Sequence, residues 1–226
     1  MEKITISCYG DSITFGLLAT SPEKSYPGIL QTLFSDRCSV LNFGRSGATV
    51  IADYEPVPGR YLPYIKTEEY KSGLVSQPDI AVLMLGMNDA NPTHHFNENN
   101  GGTITEAYLK LYETTLVEII DTIKSLPTVK SLYLVKTTEM KRTVEDGFSQ
   151  QYVDDFTANL VKIRDVQERV AKEKNICIID TEEYMQNPAY YNDGCHLTDL
   201  GYEKLAETIF NRLVSDISDA SCKVGQ

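Results

Sequence analysis

Ile80-Ala81-Val82-Leu83-Met84-Leu85-Gly86-Met87-Asn88-Asp89 is the stretch that decides how this chain folds. Apolar residues run from Ile80 to Leu85 without a polar interruption, and Gly86 then breaks the run. A strand that is apolar on both faces suits a parallel sheet covered on both sides, whereas a half-exposed strand would alternate. Working outward, the same kind of short apolar run recurs upstream at Ile4–Cys8 and Cys38–Phe43, and downstream at Leu132–Val135 and Ile176–Ile179. Helical periods separate them. A helix is predicted from near Ser25 or Pro27, with Ile29, Leu30, Leu33 and Phe34 on its apolar face, and a short one over 67–76. A third should start at a Thr103/Glu106 capping box and carry Tyr108, Leu111, Tyr112, Leu116, Ile119, Ile120 and Ile123 on one face. A long helix is read from Gln150 to Glu173, and a last one is capped by Thr198. Five strands alternating with helices predict one α/β domain over 1–217, with a parallel sheet between two helical layers and a small polar tail over 218–226. Residues 50–64 and 90–102 read as loops, and 139–147 as a charged, mobile one.

Composition narrows the function classes. The chain has 226 residues and a net charge of −11 with no basic run, which argues against nucleic acid or anionic membrane as the main partner. No apolar run is long enough to span a bilayer, so stable membrane insertion is not expected. Met1-Glu2-Lys3-Ile4 leads straight into the first strand, without the pattern of a signal peptide. The five cysteines, Cys8, Cys38, Cys177, Cys195 and Cys222, lack CxxC spacing and read as reduced core residues; the expected compartment is the cytoplasm.

In an open parallel sheet, ligands bind outside the carboxyl ends of the strands. Ser12 follows the first strand, Gly47 the second and Asn88 the third, and Asp193 and His196 lie beyond the fifth. All should meet at one edge. Each is a residue type that acyl transfer needs. Serine is a poor nucleophile until a base takes its proton, and His196 is the natural base. Asp193, three residues earlier, can fix the tautomer of His196 through Nδ1. The N–H groups of Ser12 and Gly47 and the side-chain amide of Asn88 can point donors at the oxyanion. Asp11 and Asp89 are read as supporting residues, Asp89 as a brace for Asn88.

Taken together, Gly10-Asp11-Ser12-Ile13, Asn42-Phe43-Gly44-Arg45-Ser46-Gly47-Ala48-Thr49, Gly86-Met87-Asn88-Asp89 and Asp193-Gly194-Cys195-His196 resemble the four sequence blocks of the SGNH hydrolases, the GDSL-type esterases and lipases. The resemblance implies a flavodoxin-like three-layer α/β/α sandwich and no metal or organic cofactor. It implies Ser12 as nucleophile, Asp193 and His196 as the other triad members, and Ser12, Gly47 and Asn88 as the oxyanion hole. Gly47 is preferred to Gly44 for its place in the S-G-x-T ending. Cys195 stands where an aliphatic residue is usual, either packed or sensitive to oxidants. Tyr26-Pro27 and the strand ending L-G-M-N-D-A look most like members acting on acetylated carbohydrates, including sialate O-acetylesterase-like proteins. Small-molecule or carbohydrate esters are therefore the expected substrates, with lysophospholipids or acyl-thioesters as the alternative and a non-catalytic carbohydrate-binding protein behind them.

Rival readings stay in view. Gly44-Arg45-Ser46-Gly47-Ala48 is one residue short of a nucleophile elbow, but no helix pattern follows it. His94 and His95 read as a solvated loop rather than metal ligands. Tyr54, Tyr61, Tyr64, Tyr190 and Tyr191 either pack or floor a sugar site.

Overall fold

The computed structural model describes residues 3–51, 62–95, 101–142 and 147–222. The chain runs β1 (Ile4–Gly10), α1 (Ser12–Phe15), α2 (Tyr26–Phe34), β2 (Cys38–Gly44), β3 (Ala48–Thr49), β4 (Leu62–Pro63), α3 (Glu68–Val75), β5 (Ile80–Met84), α4 (Glu106–Lys124), β6 (Ser131–Val135), α5 (Gln150–Glu173), β7 (Cys177–Ile179) and α6 (Asp199–Cys222). The main sheet is parallel throughout, in the order β2-β1-β5-β6-β7. This is the doubly wound order in which the chain switches direction beside its first strand, the place where such sheets bind ligands.

The apolar run that opened the reading is buried on both faces because its side chains alternate. Ala81, Leu83 and Leu85 join a core made with α3, α4 and α5, whereas Ile80, Val82 and Met84 join one made with α2 and α6. Neighbouring strands obey the same alternation, Leu132 and Leu134 against Tyr133 and Val135. Hence two helical layers cover one sheet.

Caps set most helix starts. Ser25, Thr67 and Ser149 accept N–H bonds from Gly28, Tyr70 and Tyr152, and Pro27 sits in the first turn of α2. The expected box at Thr103 is not used. Thr105 caps α4 instead, because Ile104 N–H donates to Asn159 Oδ1 at 2.9 Å and its carbonyl accepts from Lys162 Nζ at 3.0 Å, which hold 103–104 out of the helix. Leu62–Pro63, within the region read as a loop, pairs in parallel with Ala48–Thr49 just before that region. The readings on Tyr54 and Tyr61 lie outside the described residues.

Candidate active site

Ser12 owes its position to two neighbours. Gly10 ends β1 where no side chain fits, since a Cβ would come 2.0 Å from Thr14 Oγ1 and 2.4 Å from the Met84 carbonyl oxygen. Asp11 then caps the single turn of α1, accepting from Ile13 N–H at 3.0 Å, and Gly16 at φ +89° ends it. Ser12 is thus the first residue of a helical turn, where backbone N–H groups lack helical partners. The 16–20 turn is tied to α6: Tyr202 donates to the Leu17 carbonyl at 2.8 Å, and Thr20 binds Asp199 through N–H and hydroxyl at 2.9 and 2.5 Å. These ties bring the start of α6, and the loop before it, to Ser12.

In that loop Asp193 organises everything. Its Oδ1 accepts the N–H groups of His196 at 2.7 Å and Cys195 at 3.1 Å, and its Oδ2 takes His196 Nδ1–H at 2.7 Å. Nε2 is left to face Ser12 Oγ, 3.0 Å away. Partial burial pushes the Asp193 carboxyl up, but the hydrogen bonds from the His196 ring and backbone and from Cys195 N–H outweigh it and hold the group at about 2. From outside, Lys141 N–H donates to the Gly194 carbonyl at 2.8 Å, and Gln186 ties to Glu139 at 3.1 Å and to Lys141 at 2.8 Å. The start of the segment expected to be mobile is therefore fastened to this loop. The Cys195 thiol packs on the core, and burial pushes its pKa up, away from the thiolate that oxidants attack.

The donors expected from the sequence lie on the second and third stretches. Gly47 has φ +79° and open space where a Cβ would project, and its N–H makes no bond to another described residue. Gly44 differs on both counts: a Cβ there would lie 2.1 Å from Phe15 N, and its N–H donates to Asn42 Oδ1 at 2.9 Å. Asn88 Nδ2 donates to the Ala48 carbonyl at 2.9 Å, so one amide hydrogen fixes the side chain beside Gly47 and the other is left over. The Asp89 carboxylate bonds to the Gly47 loop and to α4 rather than to Asn88. Wholly buried, it accepts from Val50 N–H at 2.9 Å, Ile51 N–H at 3.3 Å and Tyr108 hydroxyl at 3.2 Å, locking the two loops together. Burial raises it to about 6 against those bonds, and raises Asp11, partly offset by Ile13 N–H, to about 7.

Three rival readings can now be placed. Ser46 is exposed on a turn that leads into β3, not into a helix. His95 is not solvated: it is buried, donates Nε2–H to the Asp89 carbonyl at 2.6 Å and meets Tyr108 edge-on at 4.4 Å, and burial lowers it to about 4. Tyr64 and Tyr191 are buried, with their hydroxyls on the carbonyls of Phe43 and Met185, so they pack. Among the described residues no group of three His, Cys, Asp or Glu side chains could hold a metal ion, and no helix is long and apolar enough to cross a membrane.

The sequence profile of the GDSL-like lipase/acylhydrolase family matches residues 8–204, from β1 into α6. The chain belongs to the GDSL-like lipase/acylhydrolase family. It is 26% identical over 211 residues to an acetylxylan esterase of Xylanibacter ruminicola, aligning 92% of this chain but spanning only 42% of that relative's length. Among solved structures, a carbohydrate acetylesterase family member from Sinorhizobium meliloti shares the fold at TM-score 0.64 and 20% identity, covering 95% of this chain and 98% of the other. The native aryl esterase of M. smegmatis does so at TM-score 0.69 and 17% identity, with 94% and 99% covered.

The GDSL-like blocks do not account for every residue that shapes the site. On α5, Gln167 donates to the Leu85 carbonyl at 2.8 Å and accepts from Thr137 N–H at 3.3 Å, joining the ends of β5 and β6. Asn159 donates to the carbonyls of Ala90 and Gly102 at 3.0 and 2.8 Å, closing the loop that begins at Asn88. Arg164 grips the Thr137 carbonyl. All three interrupt the buried stripe of α5, and a polar residue at a core position of a helical period is the signal that marks them.

Proposed function

We propose that this GDSL-like acylhydrolase is a serine esterase that removes short acyl groups, acetyl above all, from carbohydrate esters. The observation that carries the reading is the unbroken relay from Ser12 Oγ to His196 Nε2 at 3.0 Å and from His196 Nδ1 to Asp193 at 2.7 Å. Ser12 attacks the ester carbonyl carbon while His196 takes its proton, and Asp193 stabilises the imidazolium that forms. Negative charge collects on the carbonyl oxygen, where the N–H groups of Ser12 and Gly47 and the spare Asn88 amide hydrogen receive it. His196 returns the proton to the leaving alcohol. A water activated by the same imidazole then attacks the acyl-Ser12 ester and frees the acid. The acetylxylan esterase relative and the carbohydrate acetylesterase neighbour support the choice of substrate. The free thiols of Cys8, Cys38, Cys177 and Cys195 support a reducing compartment, the cytoplasm.

The test is hydrolysis of p-nitrophenyl esters from acetyl to long acyl chains, with Ser12→Ala alongside. Acetyl should be cleaved fastest, and Ser12→Ala should lose activity by a factor on the order of 10⁴ or more. Wild-type activity in Ser12→Ala overturns the nucleophile. Faster turnover of long chains transfers the substrate to lysophospholipids or acyl-thioesters. No turnover of any chain length would leave a narrow enzyme or a carbohydrate-binding protein as the two readings.

A further inference from the structure

One groove near the site is not used by the chemistry above. It holds about 350 Å³ and is lined by Pro92, Thr93, Gly102, Ser149, Gln151, Tyr152 and Asp155. A roomier hollow of about 610 Å³ lies along β7 and α6, bordered by Asp180, Glu182 and Arg212, on elements that do not carry the Ser12 donors. The smaller groove is coupled to them directly. Its Tyr152 hydroxyl donates to Asn91 Oδ1 at 3.3 Å, and Asn91 N–H closes a turn on the Asn88 carbonyl at 3.2 Å. Tyr152 also packs on the same core cluster as Cys195. Asp193 is close enough that, after burial and Cys195, its charge helps push the Tyr152 phenol up to about 12.

The lining selects a ligand class. The Tyr152 ring, stacked on Phe148 at 4.6 Å and 19° and set edge-on to Phe156 at 5.8 Å, is held rigid, and with Pro92 it supplies an apolar floor. Thr93, Gln151 and Asp155 supply a polar rim, in which Gln151 Nε2 already donates to Asp155 Oδ1 at 2.8 Å. An apolar floor with hydroxyl-binding groups at its edge matches a pyranose, whose ring presents C–H bonds on its face and hydroxyls around its perimeter. Among the described residues no cation lines the groove and one carboxylate does, so an anionic sugar or a phosphate headgroup is disfavoured.

We propose that this groove is a carbohydrate subsite that holds an uncharged pyranose unit of the acetylated substrate next to the unit whose ester reaches Ser12, with Tyr152 as a specificity-determining residue. The inference rests on the esterase reading for its substrate but not for its binding, and the test separates the two. The probe is calorimetric titration of Ser12→Ala with unacetylated xylo-oligosaccharide, followed by steady-state kinetics of wild type, Tyr152→Ala and Gln151→Trp on p-nitrophenyl acetate and on acetylated xylo-oligosaccharide. Gln151 is exposed, so tryptophan there fills the groove without touching the core. Saturable binding is expected, weakened by adding either groove substitution to Ser12→Ala. With the acetylated oligosaccharide, KM should rise about five- to tenfold in both groove variants. The p-nitrophenyl acetate kinetics of Gln151→Trp should stay within about twofold of wild type. Equal losses on both esters, or no loss on either in the folded Gln151→Trp protein, would overturn the subsite, as would absence of binding. An inert wild type that still binds the oligosaccharide would overturn the esterase reading and leave the subsite standing.

Discussion

In the proposed mechanism Asn88 both fastens a loop and serves the reacting oxygen. One amide hydrogen is spent on the Ala48 carbonyl, so truncation loosens the Gly47 loop and removes a donor together. Asn88→Ala should lower kcat about 10²–10³-fold with little change in KM, checked by steady-state hydrolysis of p-nitrophenyl acetate. Asp11 makes a different prediction. Its folded pKa of about 7 lies above the ordinary carboxylate value, so the folded chain holds this proton more tightly than the unfolded one. The stabilising contribution is complete below the unfolded value and is lost as pH rises through about 7. Asp11→Asn keeps an oxygen for Ile13 N–H but cannot ionise. Its melting temperature should therefore fall less than that of wild type between about pH 5 and about pH 8, with identical slopes counting against the shift. Asp193 has the opposite sign. Held at about 2, it stabilises the fold above the ordinary carboxylate range and stops doing so as acid takes pH down through that value.

At the scale of elements, the site depends on contacts too close for a side chain. Gly44→Ala would drive a methyl group into the backbone of Phe15, 2.1 Å from its nitrogen, and shift α1 with Ser12 on it. The expected cost is roughly 1–3 kcal/mol in urea denaturation together with a fall in kcat. Asp89→Ala should cost roughly 3 kcal/mol by the same measurement, since it strands the buried N–H groups of Val50 and Ile51. What could be read in advance divides along the same lines. The strands, α5 from Gln150 to Glu173, and the positions of Ser12, Gly47, Asn88, Asp193 and His196 at one sheet edge follow from local patterns, because period, caps and chain order carry them. The cap at Thr105, the β3–β4 pair, the burial of His95 and the Lys141–Gly194 tie follow from distant partners. No window around Thr103 contains Asn159, whose side-chain Oδ1 takes Ile104 N–H and moves the helix start.

The molecule as a whole adds a field. With a net charge of −11, it repels anions over a distance set by salt. An anionic acetyl ester should be cleaved with lower kcat/KM than a neutral one of equal size. The gap should narrow as ionic strength rises from about 0.01 to about 0.15 M and the screening length falls from about 30 to about 8 Å. Equal salt responses for the two esters would show that charge does not steer substrate here. The separation of Ser12 from His196, 184 residues apart along the chain, has a consequence in time. A nascent chain still short of β7 carries Ser12 without His196, and a refolding chain joins them only after both flanks of the sheet are laid down. Catalytic activity should therefore be the last signal to recover after dilution from denaturant, trailing the return of helical circular dichroism. The reaction then reports on completion of the fold, and half-built molecules leave esters untouched.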